Sequence, residues 1–241
     1  MKSKLINFIR RYNIGGIVNT VSVNSNDKTL SASFVSEDRT VIGQINSYDF
    51  TMKEGTIGVY DTDQLLRMLH VLDDNISVDM IGEDHQYTKL ALSDGKINAN
   101  FLLCDTSVIP ATPELKLPDF GMKFELTSEF CNNFVKAYSA LTDNEFFTLE
   151  PDGQSDVKII VGPHNNHSMN ITLTTPVSTL DDFLMDSVML RASIFKDIVV
   201  ANKDFEQGMM HVSQQGLVKV MFHTVNDFSS QYYLVAEQPD D

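Results

Sequence analysis

The sequence predicts an α+β protein of two similar domains, because one order of helices and strands occurs twice along its 241 residues. Four stretches carry apolar residues at helical spacing, and short runs that alternate apolar and polar residues separate them. Apolar residues make up 42% of the chain and charged residues 21%, which suits a buried core and excludes a disordered chain. Residue identity between the two copies is weak, so the repeat lies in the pattern.

The first copy begins with a predicted helix over 2–11, whose apolar side is formed by Leu5, Phe8 and Ile9. Alternation then predicts strands, most clearly where Leu30, Ala32 and Phe34 share one face. A second helix is predicted over 62–72, after a residue that can cap it. The strands of this copy are expected at 16–23, 29–36, 40–47, 56–60, 76–81, 86–92 and 97–103.

The second copy repeats this order with helices predicted over 127–142 and 191–203. Its strands are expected at 122–126, 145–150, 156–162, 168–174, 185–190, 207–212, 217–223 and 230–236. The intervening segment contains three prolines and little periodicity, which indicates an extended connector. The predicted organisation is therefore a first domain over 1–105, a connector over 106–121 and a second domain over 122–241.

Positive charge is concentrated on the four predicted helices. They hold nine basic and three acidic residues, a net charge of +6, and leave −21 on the rest of a chain whose total is −15. Extending each helix by one residue at both ends reduces the contrast to +2 against −17. One basic helix face indicates only solvated surface, but four in an acidic chain favour contact with a polyanion. The basic residues are Lys2, Lys4, Arg10, Arg11, Arg67, Lys136, Arg191, Lys196 and Lys203.

The sequence contains no recognisable catalytic motif. A phosphate-binding loop, a dinucleotide-binding glycine turn and a nucleophile elbow are all missing. His164 and His167 lie in a polar turn without a third ligand, which favours a plain loop over a metal site. The adjacent acids Asp181 and Asp182 read as solvated surface. We therefore expect no enzymatic activity, no cofactor and no metal.

Cysteine usage and hydropathy point to a reduced compartment. Cys104 and Cys131 lack metal or redox spacing, and an intracellular setting suits unpaired thiols. No apolar run reaches the roughly 18–20 residues that a membrane helix needs. The N-terminal stretch is basic but amphipathic, and it lacks the continuous apolar region of a secretory signal. We therefore expect a chain without membrane contact.

Two local stretches resemble the sliding clamp of T4-type bacteriophages, the processivity factor of DNA polymerase. Residues 57–78, IGVYDTDQLLRMLHVLDDNISV, are similar to a strand–helix–strand unit of that clamp, and 232–237, YYLVAE, to its last strand. Chain length, internal duplication, the proline-bearing connector and the acidic balance also match. Clamps have no catalytic signature, so the resemblance depends on architecture and these two stretches.

The resemblance implies a homotrimer in which two clamp-type domains per subunit, each with two helices packed on antiparallel sheet, close into a ring. Double-stranded DNA would pass through the hole, held by topology and without sequence specificity. The implied partners are the replicative DNA polymerase, a clamp-loader ATPase and late transcription factors. The implied location is the cytoplasm of an infected bacterial host.

The resemblance also assigns roles to particular residues. The DNA-facing pore would be lined by Lys4, Arg10, Arg11, Arg67, Lys136, Lys196 and Lys203. Ring closure would join edge strands 97–103 and 168–174, with Phe101, Leu103, Met169 and Ile171 at the subunit interface, although the pattern suits interior strands equally well. A pocket for partner peptides would be formed by Val108, Ile109, Pro110, Leu115, Leu117 and Tyr233. A connector that merely packs on its own sheet explains the same apolar residues.

Two other functional classes fit the composition. One is an acidic, β-rich structural or assembly protein of a virion, which needs no basic helix faces directed at a common axis. The other is an acidic hydrolase with carboxylates in a cleft. A mass corresponding to three subunits favours the clamp, whereas a monomer favours the alternatives.

Overall fold

The computed structural model describes residues 1–26, 28–83, 86–142, 144–153, 155–163, 168–180 and 187–237. The chain divides into two compact units. The first consists of Met1–Pro113 and Val225–Ser230, and the second of Glu114–Thr224 and Gln231–Asp241. The turn with His164 and His167 and the acids Asp181 and Asp182 lie outside the described residues.

The first unit packs helices against antiparallel sheets. Its elements are α1 (Lys2–Asn13), β1 (Val21–Asn26), β2 (Thr29–Val35), β3 (Val41–Ser47), β4 (Gly55–Val59), α2 (Thr62–Val71), β5 (Ser77–Glu83), β6 (Gln86–Ser93) and β7 (Asn98–Leu102). Strands β4, β1, β2 and β3 are neighbours in that order, and β5, β6 and β7 form a separate sheet. Helix α1 lies on β3 and beside α2.

The helices of this unit form for local reasons. In α1 the buried residues Leu5, Phe8, Ile9 and Tyr12 recur at helical spacing, which gives the helix one apolar stripe. Helix α2 begins after Asp61, whose side chain accepts a hydrogen bond of 2.8 Å from the Gln64 backbone N–H. This cap satisfies one of the donors that a helix start leaves free.

The second unit repeats the arrangement. Its elements are β8 (Met122–Glu125), α3 (Ser128–Ala140), β9 (Phe146–Asp152), β10 (Asp156–Val161), β11 (Ile171–Leu180), β12 (Val188–Arg191), α4 (Ala192–Ala201), β13 (Gln207–Val212), β14 (Leu217–Thr224) and β15 (Phe228–Val235). Strands β12, β9, β10, β11, β8, β13 and β14 are neighbours in that order, and β15 follows β14. Helices α3 and α4 contact each other above the sheet.

An aromatic cluster lies at the centre of the second unit. Phe134 of α3, Phe147 of β9 and Phe195 of α4 are all fully buried. Their ring centroids are 4.8 to 5.2 Å apart, and Phe134 meets both neighbours edge to face. Edge-to-face contacts suit the quadrupoles of the rings, so one residue from each of three elements fixes both helices on the sheet.

The repeated order of elements predicted from the sequence is confirmed, with differences in detail. Strand β11 runs to Leu180, beyond the predicted 168–174, because its last residues pair with β8 from Val177 onward, with an irregularity between Val177 and Thr179. The structure also groups Val225–Ser230 with the first unit, although the sequence placed these residues in the second domain. The connector begins with a short 3₁₀ turn at Thr106–Val108 and then lacks regular structure up to Gly121.

Candidate nucleic-acid interface

The helices keep the charge contrast that the sequence predicts. Within their observed bounds they carry seven basic and three acidic residues, a net charge of +4. The remaining residues carry eleven basic and thirty acidic side chains, a net charge of −19. Lys203 lies just after α4, and Arg191 ends β12. A polyanion would therefore meet repulsion from most of the chain and attraction at the helices.

Four of the predicted pore cations are exposed. Arg10 lies on α1, Lys136 on α3 and Lys203 after α4, and none of them forms an ion pair with a described residue. Arg67 of α2 is also exposed, and its guanidinium donates to the Gln64 side-chain oxygen over 2.8 and 3.2 Å. That contact leaves its positive charge uncompensated, so all four side chains can offer charge to a phosphate.

Two further pore cations are partly held by acids. The Lys4 ammonium lies 2.6 Å from a carboxylate oxygen of Asp227, with 23% of its side chain exposed. Lys196 pairs with its neighbour Asp197 and lies 5.5 Å from the centre of the Tyr138 ring. Each is thus half-covered and charge-paired, which makes it a weaker anchor for a phosphate than the four exposed cations.

The structure corrects the sequence prediction for Arg11, because this side chain is buried and cannot face DNA. Its side chain is only 1% exposed. The guanidinium lies 3.9 Å from the centre of the Phe228 ring, and Nη1 donates to the Asn7 carbonyl over 3.1 Å. At 100° per residue Arg11 borders the apolar stripe of α1, and Phe228 covers that border. Phe228 is distant in sequence, so helical periodicity alone could not reveal this cover.

The predicted interface residues have different environments. Strand β7 pairs with β6 on one side. Among the described residues no strand lies on its other side, so β7 forms an edge of its sheet. Phe101 is 3% exposed and stacks on Tyr60 at 5.8 Å, so its side chain packs within the first unit, and its place at a subunit interface stays a prediction. Successive side chains of a strand point to opposite faces, so Phe101 points inward and its neighbour Leu102 points outward, with 61% of its surface exposed. Met169 is 82% exposed, while Leu103 and Ile171 are half-buried.

A cavity of about 480 Å³ in the first unit brings together part of the predicted partner pocket. Val108 and Pro110 line it from the connector, and residues 17–20 and the β2–β3 turn complete it. Ile109 turns instead toward Gly58, where its Cδ1 would lie 3.1 Å from an added Cβ. The remaining predicted pocket residues, Leu115, Leu117 and Tyr233, belong to the second unit. The sequence missed residues 17–20 and the turn because only tertiary structure brings them to the connector.

Within the part of the chain that the structure describes, no group of three histidine, cysteine or acidic side chains is placed to hold a metal ion. Over the same residues, no helix has the length and apolar character required to cross a bilayer.

Comparison with known proteins identifies the fold of the chain. Neither a family model nor a curated protein sequence matches it. Solved structures do match, including proliferating cell nuclear antigen (PCNA) from Entamoeba histolytica, with a TM-score of 0.77 and 12% identity over 98% of this chain and 96% of that one. The chain has the PCNA sliding-clamp fold.

Two further clamp structures support this assignment. A. fulgidus PCNA bound to the C-terminal region of FEN-1 has a TM-score of 0.79 and 17% identity, over 100% of this chain and 98% of that one. The PCNA2–PCNA3 complex from Sulfolobus tokodaii gives 0.71 and 13%, over 98% and 96%. The clamp fold therefore extends over the whole chain, and the low identities explain why sequence comparisons fail.

Proposed function

We propose that this chain is a sliding clamp, which closes into a ring around duplex DNA and tethers a DNA polymerase for processive synthesis. The observation that carries the proposal is the coincidence of the clamp fold along the whole chain with positive charge on its helices. Electrostatic attraction would then act only where DNA passes, and the acidic remainder would repel it elsewhere. The chain itself would catalyse no reaction.

The pore role falls chiefly to Arg10, Arg67, Lys136 and Lys203, whose side chains are exposed. Lys4 and Lys196 would contribute less, because acids already neutralise them. Contacts of this kind bind phosphates without reading bases, which leaves the ring free to move along the duplex. Retention would come from enclosure.

The ring is proposed to be a homotrimer of the T4 bacteriophage type. Strand β7 leaves one side without a described neighbour, and the first half of β11 pairs with β10 on only one side. Unpaired edges of this sort are ready to accept a strand of another chain. Pairing of β7 with β11 of the next subunit would join copies head to tail and close the ring.

Partner proteins are proposed to dock at the cavity beside the connector, where Val108 and Pro110 offer apolar surface. The A. fulgidus clamp binds the C-terminal region of FEN-1, so a clamp of this fold can hold a terminal segment of another protein. For this chain the proposed partners are DNA polymerase, a clamp-loader ATPase and late transcription factors in an infected bacterial cell.

The test compares retention on circular and linear DNA. Wild-type protein should show the mass of three 27.1 kDa chains by light scattering. After loading by its ATPase it should stay on closed circular DNA and leave when a restriction enzyme cuts the circle. Retention on the circle should persist at about 200 mM salt, where binding by affinity alone through 6–10 phosphate contacts falls roughly 10³- to 10⁵-fold from its value at 50 mM.

A charge-reversal pair tests the pore. The double variant Arg10→Glu and Lys136→Glu should lose loading and polymerase processivity. The matched control, Lys53→Glu and Lys96→Glu, makes the same charge change at exposed positions outside the helices and should retain both. A monomer by light scattering, or equal retention on circular and linear DNA, would overturn the proposed function.

A further inference from the structure

The outer face of the second unit carries a row of basic side chains across three strands. His211 of β13 is paired in register with Lys123 of β8 on one side and with Lys219 of β14 on the other. Neighbouring strands are about 4.8 Å apart, so the three side chains span roughly 10 Å. The inward residues beside them, such as Met210 and Val218, are fully buried, which places this cation row on the face away from the core.

The cation row has no acidic partner. None of its three members forms an ion pair with a described residue, although the chain contains 33 acidic residues. Burial lowers the pKa of His211, and the charges of Lys123 and Lys219 lower it further. Burial also lowers the pKa of Lys219. A protonated His211 is thus repelled by both lysines in a half-buried setting, and an anion placed among the three groups would relieve that repulsion.

Aromatic rings flank the cation row. The Phe120 ring meets His211 edge to face with centroids 5.8 Å apart. The Lys219 ammonium lies 5.9 Å from the centre of the Tyr233 ring. The Tyr233 hydroxyl accepts a hydrogen bond of 2.7 Å from the Gln231 side-chain amide, which fixes the ring. The site therefore combines a short cationic centre with apolar surface beside it.

We propose that the cation row binds an acidic segment of a partner protein, with a carboxylate seated among Lys123, His211 and Lys219 and apolar side chains against the flanking rings. This inference rests on the proposed function, since a protein tethered by the clamp would supply the segment. The short span favours one or two carboxylates over a nucleic-acid strand, whose phosphates need a longer basic track.

The proposal predicts linked proton and peptide binding. A carboxylate beside His211 favours its charged form, so binding should raise the pKa of His211. By linkage, affinity for the segment should rise as the pH falls through the pKa of His211, by up to about tenfold for each pH unit. Lys123 and Lys219 face His211 from the two strands paired with β13, and Phe120 faces it from the segment before β8.

The experiment follows the His211 imidazole by NMR titration of the full chain. The probe is the blocked peptide acetyl-Gly-Leu-Asp-Asp-Leu-Gly-amide at up to about 10 mM, and its control has asparagine for both aspartates. We expect the acidic peptide to raise the pKa of His211 and the control to leave it unchanged. The double variant Lys123→Gln and Lys219→Gln should lose the response. Lys158→Gln, which removes a lysine paired with Asp152 at 3.0 Å on the same sheet, should keep it.

Two outcomes would overturn the proposal. One is a pKa of His211 that the acidic peptide leaves unchanged at the highest concentration. The other is a response to oligothymidylate in place of the peptide, which would assign the cation row to nucleic acid. Retention of wild-type protein on circular DNA is measured separately. A clamp that stays on the circle without a His211 response refutes only this inference, whereas a protein that leaves the circle refutes the proposed function.

Discussion

Arg10 and Arg11 are neighbours on α1 in opposite environments, and exchanging each for alanine should separate stability from DNA contact. Arg11 is 1% exposed and lies 3.9 Å from the Phe228 ring centre. A desolvated cation–π contact contributes about 2 kcal/mol, and a hydrogen bond from a charged donor about 1.5 kcal/mol. Removing the buried charge recovers part of its desolvation cost.

We therefore expect Arg11→Ala to lower the free energy of unfolding by about 2–3 kcal/mol. Arg10→Ala should change it by less than about 0.5 kcal/mol, because its side chain is exposed and forms no ion pair with a described residue. On DNA the order reverses: Arg10→Ala should weaken loading, and Arg11→Ala, at a temperature where it stays folded, should load as wild type does.

Urea unfolding followed by circular dichroism suits the first measurement, since the chain contains no tryptophan. Hydrogen exchange of the α1 amides tells whether any loss is local to the first unit. Equal destabilisation by the two substitutions would refute the assignment of Arg11 to the core. A folded Arg11→Ala protein with the loading defect of Arg10→Ala would return Arg11 to the DNA-facing set.

Three further predictions concern the fold. Phe134→Ala opens the cluster with Phe147 and Phe195 and should lower the free energy of unfolding by about 3–5 kcal/mol in urea titrations, and a loss below about 1 kcal/mol would contradict this packing. Hydrogen bonds from the backbone N–H groups of Asp73, Ile97 and Lys96 lower the pKa of Asp94 from 3.8 to about 2. Its contribution to stability is present above pH 4 and lost as the pH falls toward 2, so Asp94→Asn should flatten that part of the pH profile; an unchanged profile would count against these bonds. Burial raises the pKa of the Cys131 thiol to about 12, so a thiol reagent at pH 8 should modify Cys104 first, as mass spectrometry would show, and equal labelling rates would contradict it.

The helices were predictable from sequence because their signals are local. In α1 and α3 the apolar stripe recurs at helical spacing, and Thr127 caps α3 by accepting from the Phe130 N–H at 3.1 Å. The charge contrast followed from composition and helix bounds alone. Both kinds of information lie within about a dozen residues, so no tertiary contact was needed to read them.

The environments that the sequence could not predict are set by contacts between residues far apart in the chain. Helical periodicity places Arg11 on the polar face of α1, but the Phe228 ring covers its side chain. Phe101 belongs to an edge strand, but its side chain lies on the buried face of β7. The cation row arises only because strands β8, β13 and β14 align Lys123, His211 and Lys219 in register, and these residues are separated by up to 96 positions in the chain.

The distribution of charge argues for a division of labour between two surfaces. The exposed cations on and beside the helices form no ion pair with a residue that the structure describes, so they suit weak, interchangeable contacts with a polyanion. The cation row is smaller, half-buried and flanked by rings, so it suits one fixed anion. A clamp needs both properties, since the duplex must move past it while the tethered protein stays in place. Charge placed on helices serves the first requirement, and charge placed on a sheet face beside aromatic rings serves the second.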